Sequence, residues 1–168
     1  MKKFILSFMV CFCFVQMNAQ TGWDSFKNAG TSIDHPSEWV AQQGFLGGFI
    51  VSSPLESDND DFSDNVNYII EDLRGETMDA ETYAGFIKVQ IDAISPNNQI
   101  IKSKKMTFNG HDAYMMEYKG LQGELNLHSK QVYIIKDGKA HVLTYVAESD
   151  KYSKLSATAE KMFKSFKM

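Results

Sequence analysis

The 168-residue chain carries 17 basic against 21 acidic side chains, a net charge of −4, and 43% of its residues are hydrophobic. With Arg74 as its one arginine, that balance argues against nucleic acid as a partner, because phosphates call for clustered Lys and Arg. No stretch reaches the ~20 apolar residues of a membrane-spanning helix.

The first residues, MKKFILSFMVCFCFVQMNAQ, read as a secretory signal peptide over 1–19. Lys2 and Lys3 form the basic region, Phe4 to Val15 the apolar one, and Ala19 the small residue before the cut. The residues before Cys11 and Cys13 are Val10 and Phe12, where lipid attachment needs a small residue, so an unlipidated product is expected. Cleavage removes both cysteines and two lysines. What is left, residues 20–168, is a single exported domain without disulfide or thiol, expected in the periplasm or outside the cell. Its core alone must hold it, which a chain of this size can manage.

Thr21 to Ile33 is a short lead-in anchored by Trp23, Phe26 and Ile33, and Ser32 to Pro36 is a strand closed by its proline. Gln43 to Ser53 reads as one strand in which Gly47-Gly48 marks a bulge or a close backbone approach. Glu56 to Asp64 is an acidic loop, and Asn65 to Leu73 returns to strand composition. A helix is expected from Asp79, a good N-cap, to Ile94, with Tyr83, Phe86, Ile87, Ile91 and Ile94 as its buried stripe. Pro96 stops it. Ile100 to Phe108 and Ala113 to Tyr118 flank an Asn109-Gly110 hairpin. Gly120 to His128 is either a bent strand or an excursion. Gln131 to Ala147 is the most legible stretch, with Asp137-Gly138 turning between two β-rich runs. Its register sets Ile134 opposite His141, Tyr133 opposite Val142 and Val132 opposite Leu143. Both faces of that ribbon are apolar, so a layer is expected on each side. The last helix starts after Asp150 and buries Tyr152, Leu155, Ala159, Met162, Phe163 and Phe166. These elements give an α+β domain: a central antiparallel sheet of about six strands with helices on both sides.

The series SIDHPSEW, NVNYIIEDL, DAETYAGFIKVQI, NGHDAYMMEY, QVYIIKDGKAHVLTYVA and MFKSF resembles the PsbP-like superfamily across nearly the whole chain. One departure is His141, where that hairpin usually carries an aromatic ring. The resemblance implies an α-β-α layered fold and a binding or assembly role. Members include an extrinsic subunit of photosystem II, a Ran-GTPase-binding protein and many bacterial exported proteins. It implies no functional residue that can be carried over.

Residue chemistry points the same way. Asp58 and Asp60 fit positions 1 and 3 of a calcium loop, but Phe62, Ser63 and Ile69 occupy positions 5, 6 and 12, so a solvated loop is the better reading. His35, His111, His128 and His141 lie on four separate segments without the spacing of a zinc site. No G-x-S-x-G elbow or phosphate-binding glycine loop is present, and Glu71, Asp72, Glu117 and Glu148 form no pattern that singles out a carboxylate pair. The expectation is therefore a monomeric, non-enzymatic binding or assembly protein without cofactor or metal, acting on another envelope or secreted protein. The alternative is a small-molecule or lipid carrier with an apolar cavity between sheet and helix. Trp39, Tyr114, Met115 and Met116 are the candidate ligand or partner surface, since Met-rich and aromatic faces adapt to their ligands.

Overall fold

The computed structural model describes residues 22–44 and 47–168; the expected signal peptide, with Cys11 and Cys13, lies outside the described residues. The order is β1 (Trp23–Asn28), β2 (Thr31–Pro36), β3 (Val40–Gln43), β4 (Phe49–Ser52), β5 (Asn65–Asp72), α1 (Ala80–Ile94), β6 (Gln99–Phe108), β7 (His111–Gln122), β8 (Leu125–Lys136), β9 (Lys139–Glu148) and α2 (Tyr152–Ser165).

The β8–β9 hairpin follows the register that its turn dictates. Asp137 and Gly138 both take positive φ, 52° and 72°, as a two-residue turn of this kind requires. Lys136 then pairs with Lys139, Ile134 with His141, and Val132 with Leu143. From there the chain folds outward into one antiparallel sheet, ordered β3-β4-β5-β9-β8-β7-β6, while β1 and β2 form a separate two-stranded sheet. The main sheet thus has seven strands instead of about six. Gly120 to His128 is neither a bend nor an excursion: β7 runs on to Gln122 and turns at Gly123 into β8. The expected single strand over Gln43 to Ser53 is the second half of a hairpin, β3–β4. Gly48 is nevertheless a close approach, because an added Cβ would sit 1.9 Å from the Tyr68 carbonyl oxygen.

Alternate residues of β8 and β9 feed two separate cores. Val132, Ile134, Leu143 and Tyr145 pack with Ala159, Met162 and Phe163 of α2 and with Phe166 just past its end. Tyr133, Ala140 and Val142 pack with Ala80, Tyr83, Ala84 and Ile91 of α1. The β1–β2 ribbon adds Trp23, Phe26 and Ile33 to the α2 core, so that layer is a helix plus a ribbon. A bridge between Ser32 and Lys167 ties the ribbon to the residues after α2, with N–H···O distances of 3.0 and 2.9 Å.

The two helices are fixed in different ways. Asp79 caps α1 by accepting the Thr82 N–H at 2.8 Å, and the Ser95 N–H closes its other end on Ile91. No side chain caps the start of α2, but the Asn109 amide, from the β6–β7 turn, donates to the Phe163 and Phe166 carbonyls at 3.2 and 2.8 Å. The α2 stripe faces the core as the spacing predicts, with Ala159, Met162, Phe163 and Phe166 buried and Tyr152 and Leu155 partly so. The α1 stripe is buried only in part: Tyr83 and Ile91 are buried and Ile87 partly so, but Phe86 and Ile94 are exposed, and Ala80 and Ala84 complete the buried face. The sheet supplies the bulk there, through Tyr133 and Met116, so small residues on the helix allow the closer fit.

Candidate functional site

The rotation of α1 opens a groove. The register places Gln42, Ile50, Asn67, Thr144, Gln131 and Met116 in one row across six strands, and Met116 belongs to the α1 core. Ile69, Val142, Tyr133 and Tyr114 form the neighbouring row on that face. Helix α1 lies over β7 and β8. Among the described residues nothing covers this face of β3 and β4, and Ile69 on β5 is left 40% exposed. Between that bare half and the helix runs a trough of about 920 Å³, lined by Ile69, Leu73, Met78, Phe86, Ile87 and Gln90 together with the charged Glu71, Asp72, Arg74, Glu76 and Lys139.

One polar contact crosses the trough wall. The Tyr83 hydroxyl donates to Glu71 at 2.5 Å, and burial together with that carboxylate pushes the phenol pKa well up, so it stays protonated. Tyr83 also meets the Tyr133 ring edge-on at 5.8 Å. This arrangement orients α1 on the sheet.

The opposite face carries ionic contacts of its own, beside the Lys88–Asp92 and Glu81–Lys105 pairs of α1. Lys151, in front of α2, pairs with Asp60 at 3.1 Å and with Glu148, while Lys154 pairs with Glu56 at 2.6 Å. Asp60 also accepts the Glu56 and Phe62 N–H groups at 2.9 and 3.4 Å, so its carboxylate closes the acidic loop on itself and is held below its usual pKa. Asp64 is buried with one oxygen unpartnered, and burial raises its pKa to about 6. Among the described residues no three His, Cys, Asp or Glu groups are placed to hold a metal ion.

The four histidines do not converge. His35 Nδ1 lies 2.8 Å from its neighbour's carbonyl, His128 Nε2 2.8 Å from Glu117, and His141 Nδ1 2.6 Å from the Tyr68 hydroxyl, while His111 follows the β6–β7 turn. The His128 ring stacks on Tyr152 at 3.4 Å, and burial pulls its pKa down. Burial likewise lowers His141 and raises the Tyr68 phenol to about 12.

The four residues singled out from sequence are split by the sheet. Trp39 and Met115 are buried in the α2 core, Met116 is buried in the α1 core, and Tyr114 is half-buried beside it with its hydroxyl accepting from Ser103 at 2.9 Å. Met115 and Met116 are consecutive on β7 and so point to opposite faces. Sequence reasoning did not single out Ile69, Arg74, Phe86 or Lys139 for the trough. The available signal was the uncharged flank of α1, since Glu81, Lys88 and Asp92 all fall on the other side.

Neither a family model nor a curated protein matches the chain. Solved structures do. The cyanobacterial PsbP protein CyanoP from Synechocystis sp. PCC 6803 matches with a TM-score of 0.64 and 14% identity over 88% of this chain and 93% of that one. The fold is PsbP-like. LpqN of Mycobacterium tuberculosis, described as involved in cell envelope biogenesis, matches this chain with a TM-score of 0.59 and 14% identity over 81% of each. PA94 of Pseudomonas aeruginosa, a protein of unknown function, gives 0.58 and 13% identity over 84% of this chain and 94% of that one. At such identities the likeness speaks for the PsbP-like fold alone. No described helix is long and apolar enough to cross a membrane.

Proposed function

We propose that this PsbP-like chain is an exported, non-enzymatic binding or assembly protein whose docking surface is the trough between α1 and β5. The observation that carries the reading is the exposure of Phe86, at 55%, beside Ile69, at 40%, on a helix whose spacing would bury that phenylalanine. An exposed aromatic in a trough of mixed apolar and charged lining is the kind of side chain with which protein interfaces anchor themselves. The description of LpqN as an envelope-biogenesis protein supports the same reading by analogy of fold. The partner is then another envelope or secreted protein.

A photo-crosslinking amino acid at Gln90 or Ile69, with Lys164 on α2 as the control position, tests this in the producing cell. A discrete heavier adduct from the trough positions and none from Lys164 is the expected result. Equal labelling at all three positions, or none, removes the proposal.

The trough's volume, about 920 Å³, also suits a small apolar ligand, which favours a carrier as the second reading. Native mass spectrometry of the protein purified from its own source separates the two. A bound apolar mass that disappears in Phe86→Asp speaks for the carrier; a bare chain speaks for the protein-docking reading.

A further inference from the structure

We infer that the outer strands β6 and β7, on the α2 side of the sheet, hold an extended acidic segment of a partner protein. This surface lies on the other face of the sheet from the trough and does not depend on it.

The sheet register fixes which charges share that face. Three rows run inward from the β6 edge: Lys104, Met115 and Val132; Lys102, Glu117 and Lys130; then Gln99, Lys119 and His128. Met115 and Val132 belong to the α2 core, and the other rows lie two residues further along the same strands, so all three face the α2 side. The two acids that reach these rows are engaged inside the chain. His128 Nε2 lies 2.8 Å from Glu117, and Glu160 of α2 pairs with Lys130. Among the described residues, Lys102, Lys104 and Lys119 have no carboxylate within ion-pair distance. Lys102 and Lys104 are exposed and Lys119 is half-buried.

The acidic loop shows the contrast. There Lys151 meets Asp60 and Glu148, and Lys154 meets Glu56, so those lysines are spent within the chain. A chain of net charge −4 thus keeps three unspent cations together on two adjacent strands. Edge protection accounts for the lysines of β6, since charged side chains and the register shift between Ile100 and Lys102 discourage another strand from pairing there. It does not account for Lys119, whose strand is already paired on both sides.

Spacing identifies the occupant. Lys104 and Lys102 are two residues apart, about 7 Å along the strand, and Lys119 lies one strand over and two residues on, about 8 Å further. In an extended chain every second side chain points the same way, again about 7 Å apart. Carboxylates on alternate residues of such a segment therefore meet Lys104, Lys102 and Lys119 in turn. The line ends at Leu121, 54% exposed and two residues past Lys119 on the same face, with Ile101, 46% exposed, at the register shift. These aliphatic side chains give the segment an apolar foothold and offer no ring on which a nucleobase would stack. Helix α2 stands over β9 on this face. It is about 10 Å thick, so a flat bilayer meets the helix before the lysines. A single extended chain fits the step beside it.

Fluorescence anisotropy on the purified protein tests this with two labelled peptides. One alternates Glu with Thr; the other carries the same number of Glu at every fourth residue. The alternating peptide should bind at about 100 mM salt, where screening acts over about 10 Å, and lose about tenfold or more in affinity at about 500 mM. The second peptide should bind about fivefold or more weakly, because it reaches fewer of the lysines at once. Lys102→Glu combined with Lys104→Glu should weaken the alternating peptide by about tenfold or more, and Lys119→Glu by about threefold or more. Lys27→Glu, the same charge change at an exposed residue of β1, should stay within about twofold. No binding of the alternating peptide, equal binding of both peptides, or an equal loss in Lys27→Glu overturns the inference. Sedimentation with phosphatidylglycerol vesicles that is lost in the β6 variant, without peptide binding, overturns it in favour of a lipid surface.

Discussion

The two helices face the same sheet and are held to it in opposite ways. Helix α1 has complete local caps and a face of small residues, yet leaves Phe86 and Val89 in water. Helix α2 lacks a side-chain cap at its start, but its Ala159, Met162 and Phe163 are buried in the core that the sheet and the β1–β2 ribbon share, with Tyr152 and Leu155 partly buried against it. Local signals carry α1 and tertiary contacts carry α2. A helix that is self-sufficient in its ends can spare an apolar stripe for something outside the chain; one that depends on its core cannot.

The sharpest way to break this comparison is to truncate one aromatic on each helix. Phe163→Ala, at a residue 2% exposed and edge-on to Phe108, should cost about 3–5 kcal/mol in urea unfolding. Phe86→Ala should fall within about 0.5 kcal/mol of the parent, measured on the monomer. Comparable losses at both sites would mean that Phe86 belongs to a core after all.

The next effect in size concerns Asp64. Its folded pKa of about 6 exceeds the ordinary 3.8 because burial disfavours the charged form. The folded state therefore holds the proton more tightly than the unfolded one, so Asp64 destabilises at neutral pH and ceases to do so as pH falls through about 6 toward 3.8. Asp64→Asn should raise stability by about 1–3 kcal/mol at pH 7 and lose most of that advantage near pH 4, as read from denaturant midpoints across pH. A gain that is flat with pH would assign the effect to packing.

A smaller loss is expected for Asn109→Ala, about 1–2 kcal/mol, because the carbonyls of Phe163 in α2 and of Phe166 just past it lose their donor. Protection of the amides in the last turn of α2 against hydrogen exchange should fall with it, while those of α1 stay as they are. If α1 exchanges faster as well, the two sides of the sheet are more tightly coupled than their separate cores indicate.

Sequence alone located the strongest local signals. The Asp137-Gly138 turn fixed the β8–β9 register residue by residue, because a two-residue turn leaves one pairing on each side. The α2 stripe was legible for a similar reason, its large residues being the buried ones. Strand β2 was legible, but β1 and its pairing with β2 were not, because their turn is Ala29-Gly30 with Ala29 at φ 46°, a residue that gives no turn signal. The pairing of β5 with β9 joins distant segments and leaves no local mark. On α1, hydrophobic periodicity counts large side chains, whereas the sheet's tyrosines selected Ala80 and Ala84. That same miss hid the trough, since Phe86 looked like core. Trp39, Met115 and Met116 stood out for composition, which does not tell a buried aromatic or methionine from an exposed one.

The Ser32–Lys167 bridge has a consequence for how this molecule is made. A ribosome delivers residue 32 long before residue 167, and Phe166, beside the bridge, packs on Phe49 and Tyr68 from the first half of the chain. Until those late residues emerge, the ribbon lacks its backbone partner and the α2 core stays open. The nascent domain is therefore denied its native state until the segment through Lys167 is free of the ribosome, like a clasp whose second half is cast last.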